Sequence, residues 1–305
     1  MIPNLTLETT VLTGRPSYEG ANIRTWIGFK HFMYLVENAV HQWLRERGTG
    51  ARDLFLAHGL GFEIVDCSVQ LPAVLEADDE VTATVTGSRP GRLAVRLAVE
   101  RDGRPVTVLR GKVTVALVPE RAAATHLPPP APLADLPDAG IAPGERRRLG
   151  PGETPESVLT AEPGTFLWSW RAPYFYCHFS DRVQHSGFVR ALEEVVDRFL
   201  DDRGISVGRL LTERSWIPVV SRARVRLVGD ARMEETVHTV FTVTDILRGV
   251  MFDGTMTCYV RRGDDLVTVA RAQILHGYAI AAGPGAGGLA ELDAATVAAL
   301  LGERS

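Results

Sequence analysis

Between residues 27 and 47 the apolar side chains recur at helical spacing: Phe29, Phe32, Met33, Leu35, Val36, Ala39, Val40, Trp43 and Leu44. That spacing predicts one long, largely buried helix that stops at Arg47-Gly48. Alternation then takes over. Residues 61–71, 80–86, 93–99 and 106–117 read as strands, with turn signals at Arg89-Pro90-Gly91 and Asp102-Gly103. The second half follows the same plan. Residues 166–179 form an aromatic-rich strand region, and residues 188–200 a helix with Val189, Leu192, Val195, Val196 and Phe199 on one stripe. Strands are predicted over 219–228, 236–244, 249–260 and 266–280, and a short amphipathic helix over 292–301. Residues 127–164 lack periodicity. Pro128-Pro129-Pro130, Pro137, Pro143-Gly144, Pro151-Gly152 and Pro163-Gly164 mark them as a surface linker.

The two halves share sequence as well as pattern. Gly28-Phe29 and Gly187-Phe188 coincide at an offset of 159 (187 − 28), which aligns Asn22 with Asp181 and Trp26 with His185. Arg47-Gly48 and Arg203-Gly204 coincide at 156 (204 − 48), which aligns Glu37 with Glu193. A duplicated module is therefore expected. A long helix wrapped by an antiparallel sheet is the hotdog architecture, so the expected fold is α+β, a tandem or double hotdog. Residues 1–122 would form the first module, shaping a pocket, and 123–164 the Pro-rich linker. Residues 165–282 would form a second module carrying the chemistry, and 283–305 a mobile tail with a short helix.

Composition narrows the function classes. The chain has 305 residues, 45% hydrophobic and 23% charged, enough for two ordinary cores. A net charge of −4 offers no footprint for nucleic acid. No run approaches a membrane span, and Met1-Ile2-Pro3-Asn4-Leu5-Thr6 lacks the layout of a signal peptide. Cys67, Cys177 and Cys258 are widely spaced and odd in number, which argues against a disulfide framework or a zinc site. A cytoplasmic protein without metal or cofactor is the resulting expectation.

Polar chemistry concentrates between the aromatic strand and the second helix, in Phe179-Ser180-Asp181-Arg182-Val183-Gln184-His185-Ser186-Gly187-Phe188. Asp181 and His185 are four apart, so a turn could bring carboxylate to imidazole, fixing its tautomer and raising its basicity. Gly187 would let backbone N–H groups at the helix start approach a carbonyl oxygen. Glu193 and Glu194, on the helix, could reach the same cavity.

Asp181-Arg182-Val183-Gln184-His185 resembles the Asp-x-Asn-x-His segment of plant and bacterial acyl-ACP thioesterases, which are double hotdogs. It is also similar to the Asp-x-x-Gly-His segment of the 4-hydroxybenzoyl-CoA thioesterase superfamily. The resemblance implies hydrolysis of an acyl thioester, with Asp181 and His185 in the catalytic positions and Glu193 beside them. Gly187, Phe188, Glu37, Trp26 and Asn22 would line the substrate site. Val183 stands where the family has Asn, Ser186-Gly187-Phe188 replaces Val-Asn-Asn, and the strand over 219–227 lacks a Glu that the family places there. An acyl carrier protein and a homodimer are allowed partners, and a fatty-acid or polyketide pathway is a fitting setting.

Other readings stay open. Asp181 could cap a turn, His185 could be a satisfied structural histidine, and Glu37 on its apolar helix would need a partner. Cys177 could be a nucleophile near His178 or His185, against the commoner inert thiol. The basic run Arg146-Arg147-Arg148 is either a solvated patch or a carrier-docking patch. A hotdog dehydratase or isomerase would pair His185 with Glu37, or His31 with Glu193 or Glu194. No dehydratase or hydratase motif accompanies them. A non-catalytic acyl-binding module is the remaining alternative.

Overall fold

A computed structural model describes residues 9–136 and 141–302. The N-terminal segment Met1 to Thr6 and Pro137 of the linker lie outside the described residues, as do the last three of the tail. The chain forms two units. The first holds the described residues up to Ala142 together with Cys177–Ser186. The second holds Pro143–Tyr176 and the chain from Gly187 onward.

The first unit begins with β1 (Thr9–Gly14), the short hairpin β2 (Ala21–Ile23) and β3 (Trp26–Ile27), and the long helix α1 (Phe29–Arg45). A turn, α2 (Ala51–Asp53), runs on into a wide turn over Leu54–His58. Strands β4 (Leu60–Gln70), β5 (Val81–Arg89), β6 (Arg92–Arg101) and β7 (Arg104–Pro119) follow. They pair antiparallel in the order β1-β5-β6-β7-β4. The apolar stripe of α1, with Phe32, Val36, Ala39, Val40 and Leu44 buried, packs on the sheet through β1, β5 and β6. Val81, Val85, Leu93, Val95 and Leu97 fill the sheet's share of that core. Each such side chain contributes roughly 1.5–3 kcal/mol on burial, which outweighs the weak helix propensity of the β-branched residues in α1.

The second unit repeats this order. β8 (Arg146–Arg148) and α3 (Pro155–Leu159) lie within the stretch read as linker, and β8 pairs with the last strand. β9 (Phe166–Arg171) ends earlier than its aromatic run suggests. Pro173 has no N–H to continue a ladder, and a tight 3-10 turn over Tyr174–Tyr176 follows. The helix α4 (His185–Asp202) starts three residues earlier than the apolar stripe predicts. Then come α5 (Val207–Arg214), β10 (Trp216–Leu227), β11 (Thr236–Leu247), β12 (Met251–Arg262), β13 (Asp265–Ile280) and α6 (Ala294–Leu301). The sheet order is β10-β13-β12-β11-β9. Phe199 of α4 packs on Phe166 and Phe241, and Phe188, Val189, Leu192 and Val195 are fully buried. Residues 283–288 turn back along β13, where the Gly288 carbonyl accepts from the Ile280 N–H.

The repetition extends to backbone irregularities. β4 bulges between Ile64 and Asp66, and β10 between Val220 and Arg222, an offset of 156 (220 − 64). Gly48 and Gly204 end the two long helices with φ of +81° and +70°, where a side chain would be strained. Opposite the bulges, Ile64 pairs with Val115 and Val220 with His276, so β7 and β13 correspond at 161 (276 − 115).

Candidate active site

The polar cluster assembles in the first unit, where residues 177–186 meet the start of β4. Glu63 lies within the buried start of that strand and is almost completely inaccessible. Its Oε2 is 3.4 Å from Nε2 of His178 and 3.5 Å from Nη2 of Arg182. The backbone N–H of His185 donates to Oε1 at 3.3 Å. That N–H opens α4 and has no partner within the helix, so a carboxylate is a natural acceptor there. Arg182 is also buried and donates from Nη2 to Oε1 of Glu120 at 2.6 Å, while Glu120 Oε2 has no hydrogen-bond partner. His178 is the accessible member, with its side chain 28% exposed.

Local geometry explains why these groups converge. Gly59, at φ +67°, ends the wide turn that precedes β4, and its carbonyl accepts from the Glu120 N–H. Gly61 leaves the space that Glu120 uses: a Cβ there would stand 2.2 Å from Glu120 Oε1 and 3.2 Å from Arg182 Nη2. Phe179 takes a left-handed backbone, φ +59°, uncommon for an aromatic residue. The turn it makes is closed by the Ser180 N–H donating to the His178 carbonyl and by a bridge between Cys177 and Val183. Phe179 stacks between Phe55 and His178, fixing one face of the imidazole. The Ala122 N–H donates to Ser180 Oγ and Arg121 pairs with Asp181 at 2.8 Å, tying the loop down beside Glu120.

Electrostatics follow from that packing. Burial pushes Glu63 up, but the hydrogen bond from His178 and the charges of His178, Arg182 and His185 outweigh it, so the carboxyl lies below its usual range. Burial pushes His178 down, but the Glu63 hydrogen bond and charge, with a contribution from Glu37 on α1, raise it above the usual imidazole value. His41 of α1 is lowered to about 4, first by burial and then by the nearby His178. Two buried carboxylates thus face one guanidinium, and the imidazole of His178 stands beside the carboxylate of Glu63.

The expected site residues are distributed as follows. His185 is buried and joins the cluster through its backbone N–H. The Asp181 carboxylate pairs with Arg121. Glu37 acts on His178 electrostatically. Gly187 and Phe188 are the third and fourth residues of α4, with Phe188 wholly in the core of the second unit, and Glu193 is half-buried further along the helix. Trp26 bridges to Glu76, and Asn22 is exposed on β2. Cys177 is held at about 11, chiefly by burial, as an un-ionised thiol. His31 packs against Tyr34, with Glu19 at 4.0 Å. Glu63, Glu120, Arg182 and His178 went unassigned at the level of sequence. One signal was available: a lone acid in the apolar run Leu60-Gly61-Phe62-Glu63-Ile64.

No family model and no curated protein sequence matches the chain. Solved structures do. An acyl-ACP thioesterase from Bacteroides thetaiotaomicron superposes with a TM-score of 0.55 at 10% identity, covering 88% of this chain and 97% of its own. The 12:0-ACP thioesterase from Umbellularia californica gives 0.57 at 12% identity, covering 88% and 94%. The fold is a double hotdog. Within that fold the two modules differ at the polar positions. By the offsets of the bulges and their partner strands, Glu63 corresponds to Val219 and Glu120 to Ala281, so the second copy carries neither carboxylate. Among the described residues no group of His, Cys, Asp and Glu could hold a metal ion, and no helix is long and apolar enough to cross a membrane.

Proposed function

We propose that this protein hydrolyses acyl thioesters, with Glu63 and His178 as the working pair. The observation that carries the reading is a buried carboxylate set 3.4 Å from an imidazole that alone in its cluster reaches solvent. In a fold shared with enzymes named as acyl-ACP thioesterases, that pair has the composition of a general base and its orienting partner. His178 takes a proton from water as the water oxygen bonds to the thioester carbonyl carbon. The tetrahedral centre then collapses, the C–S bond breaks, and the imidazolium returns its proton to the departing thiolate. Free acid and free thiol result. Glu63 stabilises the imidazolium formed on the way. His185 contributes through the N–H that holds Glu63, and Asp181 anchors the loop through Arg121. The acyl group is presented by coenzyme A or by a carrier protein.

Mass spectrometry of the purified chain with saturated, 3-hydroxy and enoyl thioesters tests this. The expected result is free acid plus free thiol, lost in His178→Gln. Gain or loss of water with the thioester intact would replace the proposal with hydration or dehydration chemistry. Unchanged thioesters across coenzyme A and carrier-protein substrates would overturn it.

A further inference from the structure

We propose that Glu120 is a positioning residue: through Arg182 it holds Glu63 against His178 and sets how many protons the buried cluster carries. The Glu120 carboxylate accepts from Arg182, and its hold on Glu63 runs through that guanidinium. Arg182 Nη2 lies 2.6 Å from Glu120 and 3.5 Å from Glu63, one donor group between two carboxylates. Stability alone is a poor account of this arrangement. Glu120 is 1% exposed and one of its oxygens is unpartnered, a costly placement for a carboxylate. The second module builds the equivalent positions from Val219 and Ala281, so the fold does not require the charges. Gly61 is shaped to the pair, because any Cβ there would collide with the Glu120 carboxylate.

The charges around His178 give the proposal a sign. Glu63 faces it from β4, Arg182 from its own loop, and Glu37 and His41 from α1, while His185 acts on Glu63 from the start of α4. Counting Glu63, Glu120 and Arg182, the cluster is neutral with His178 protonated and carries one negative charge with it neutral. Replacing Glu120 by glutamine removes a negative charge, so the imidazole gives up its proton at lower pH. Replacing Arg182 by methionine removes a positive charge, so the proton is held to higher pH.

The experiment is an NMR titration of the full chain labelled on its eight histidines, with His178 assigned by its loss in His178→Gln. The midpoint for His178 is expected to move down in Glu120→Gln and up in Arg182→Met. Gly61→Ala, which displaces Glu120 without deleting a charge, is expected to change the midpoint while the fold is retained. Thermal melting run alongside identifies any variant that fails to fold, and the remaining ones carry the test. A His178 midpoint equal to the parent's in both folded Glu120→Gln and folded Gly61→Ala, or shifts of one sign in Glu120→Gln and Arg182→Met, would overturn the assignment. The catalytic meaning of this role rests on the hydrolase reading. The titration reads His178 directly, so a chain that hydrolyses nothing could still confirm or refute the role of Glu120.

Discussion

Glu63→Gln separates chemistry from stability, because the two effects differ in size. Glutamine keeps the shape of the side chain and removes its charge. The three contacts of Glu63, at 3.3–3.5 Å, are longer than the ~2.7–2.9 Å of strong charge-assisted bonds, so each sits at the weak end. Their loss is expected to cost about 1–3 kcal/mol. The larger penalty of about 3–5 kcal/mol for stripping a buried charge of its partner does not arise, since Arg182 retains Glu120 at 2.6 Å. The rate effect is greater. An imidazole without its carboxylate loses orientation and basicity, and kcat/KM is expected to fall about 10²–10⁴-fold. The stability difference between parent and variant also depends on pH. Glu63 is lowered on folding, so its contribution is present above the usual 4.5 and is lost as pH falls through the folded value. His178 is raised, so its contribution is present below the usual 6.5 and is lost as pH rises through the folded value. The difference is therefore largest between those two values. Thiol release followed with a thiol-reactive dye, over a range of pH and paired with denaturant melts, measures both. A folded Glu63→Gln with kcat/KM within about threefold of the parent would refute the reasoning.

Two further variants test the second module. His276 is buried among Phe252 and Tyr278 with Nδ1 unpartnered, and burial lowers it to about 4. The unfolded chain therefore binds its proton first as pH falls below the usual 6.5, and stability is lost down to about pH 4. His276→Val, the residue that the first module has at Val115, is expected to remove up to about 2 kcal/mol of the loss between pH 6.5 and 5. Urea melts at both pH values check this, and an unchanged acid sensitivity would count against it. Gly254→Ala would set a Cβ 2.3 Å from the Phe241 ring, which also packs against Phe199. A loss of about 1–3 kcal/mol in chemical denaturation is expected, and parental stability would show that the ring has room to move.

Most of the scaffold was legible because it follows period: both long helices and the longer strands of both modules announce themselves through apolar spacing. Shorter elements did not. α5 is only Val207–Arg214, and its Ser206 cap lies in a segment too polar to stand out. α3 and β8 hide in a stretch dominated by proline and glycine. The site was half legible. Asp181 and His185 drew notice because a junction loop before a helix often carries function, and the loop is indeed where the cluster forms. Glu63 gave little warning, because β4 is buried on both faces at its start, so alternation cannot separate inward from outward positions. Its partners His178, Arg182 and His185 lie more than a hundred residues downstream, beyond the reach of any local pattern.

The loop of residues 177–186 belongs by sequence to the second half and by packing to the first unit. This has a consequence for how the gene can change. Exchanging the first half for a relative's would carry off both carboxylates and leave the imidazole and guanidinium behind with strangers. Any break in the chain between Glu120 and Cys177 separates the two carboxylates from the residues they bind. The two copies can drift apart in sequence, but they must be inherited together.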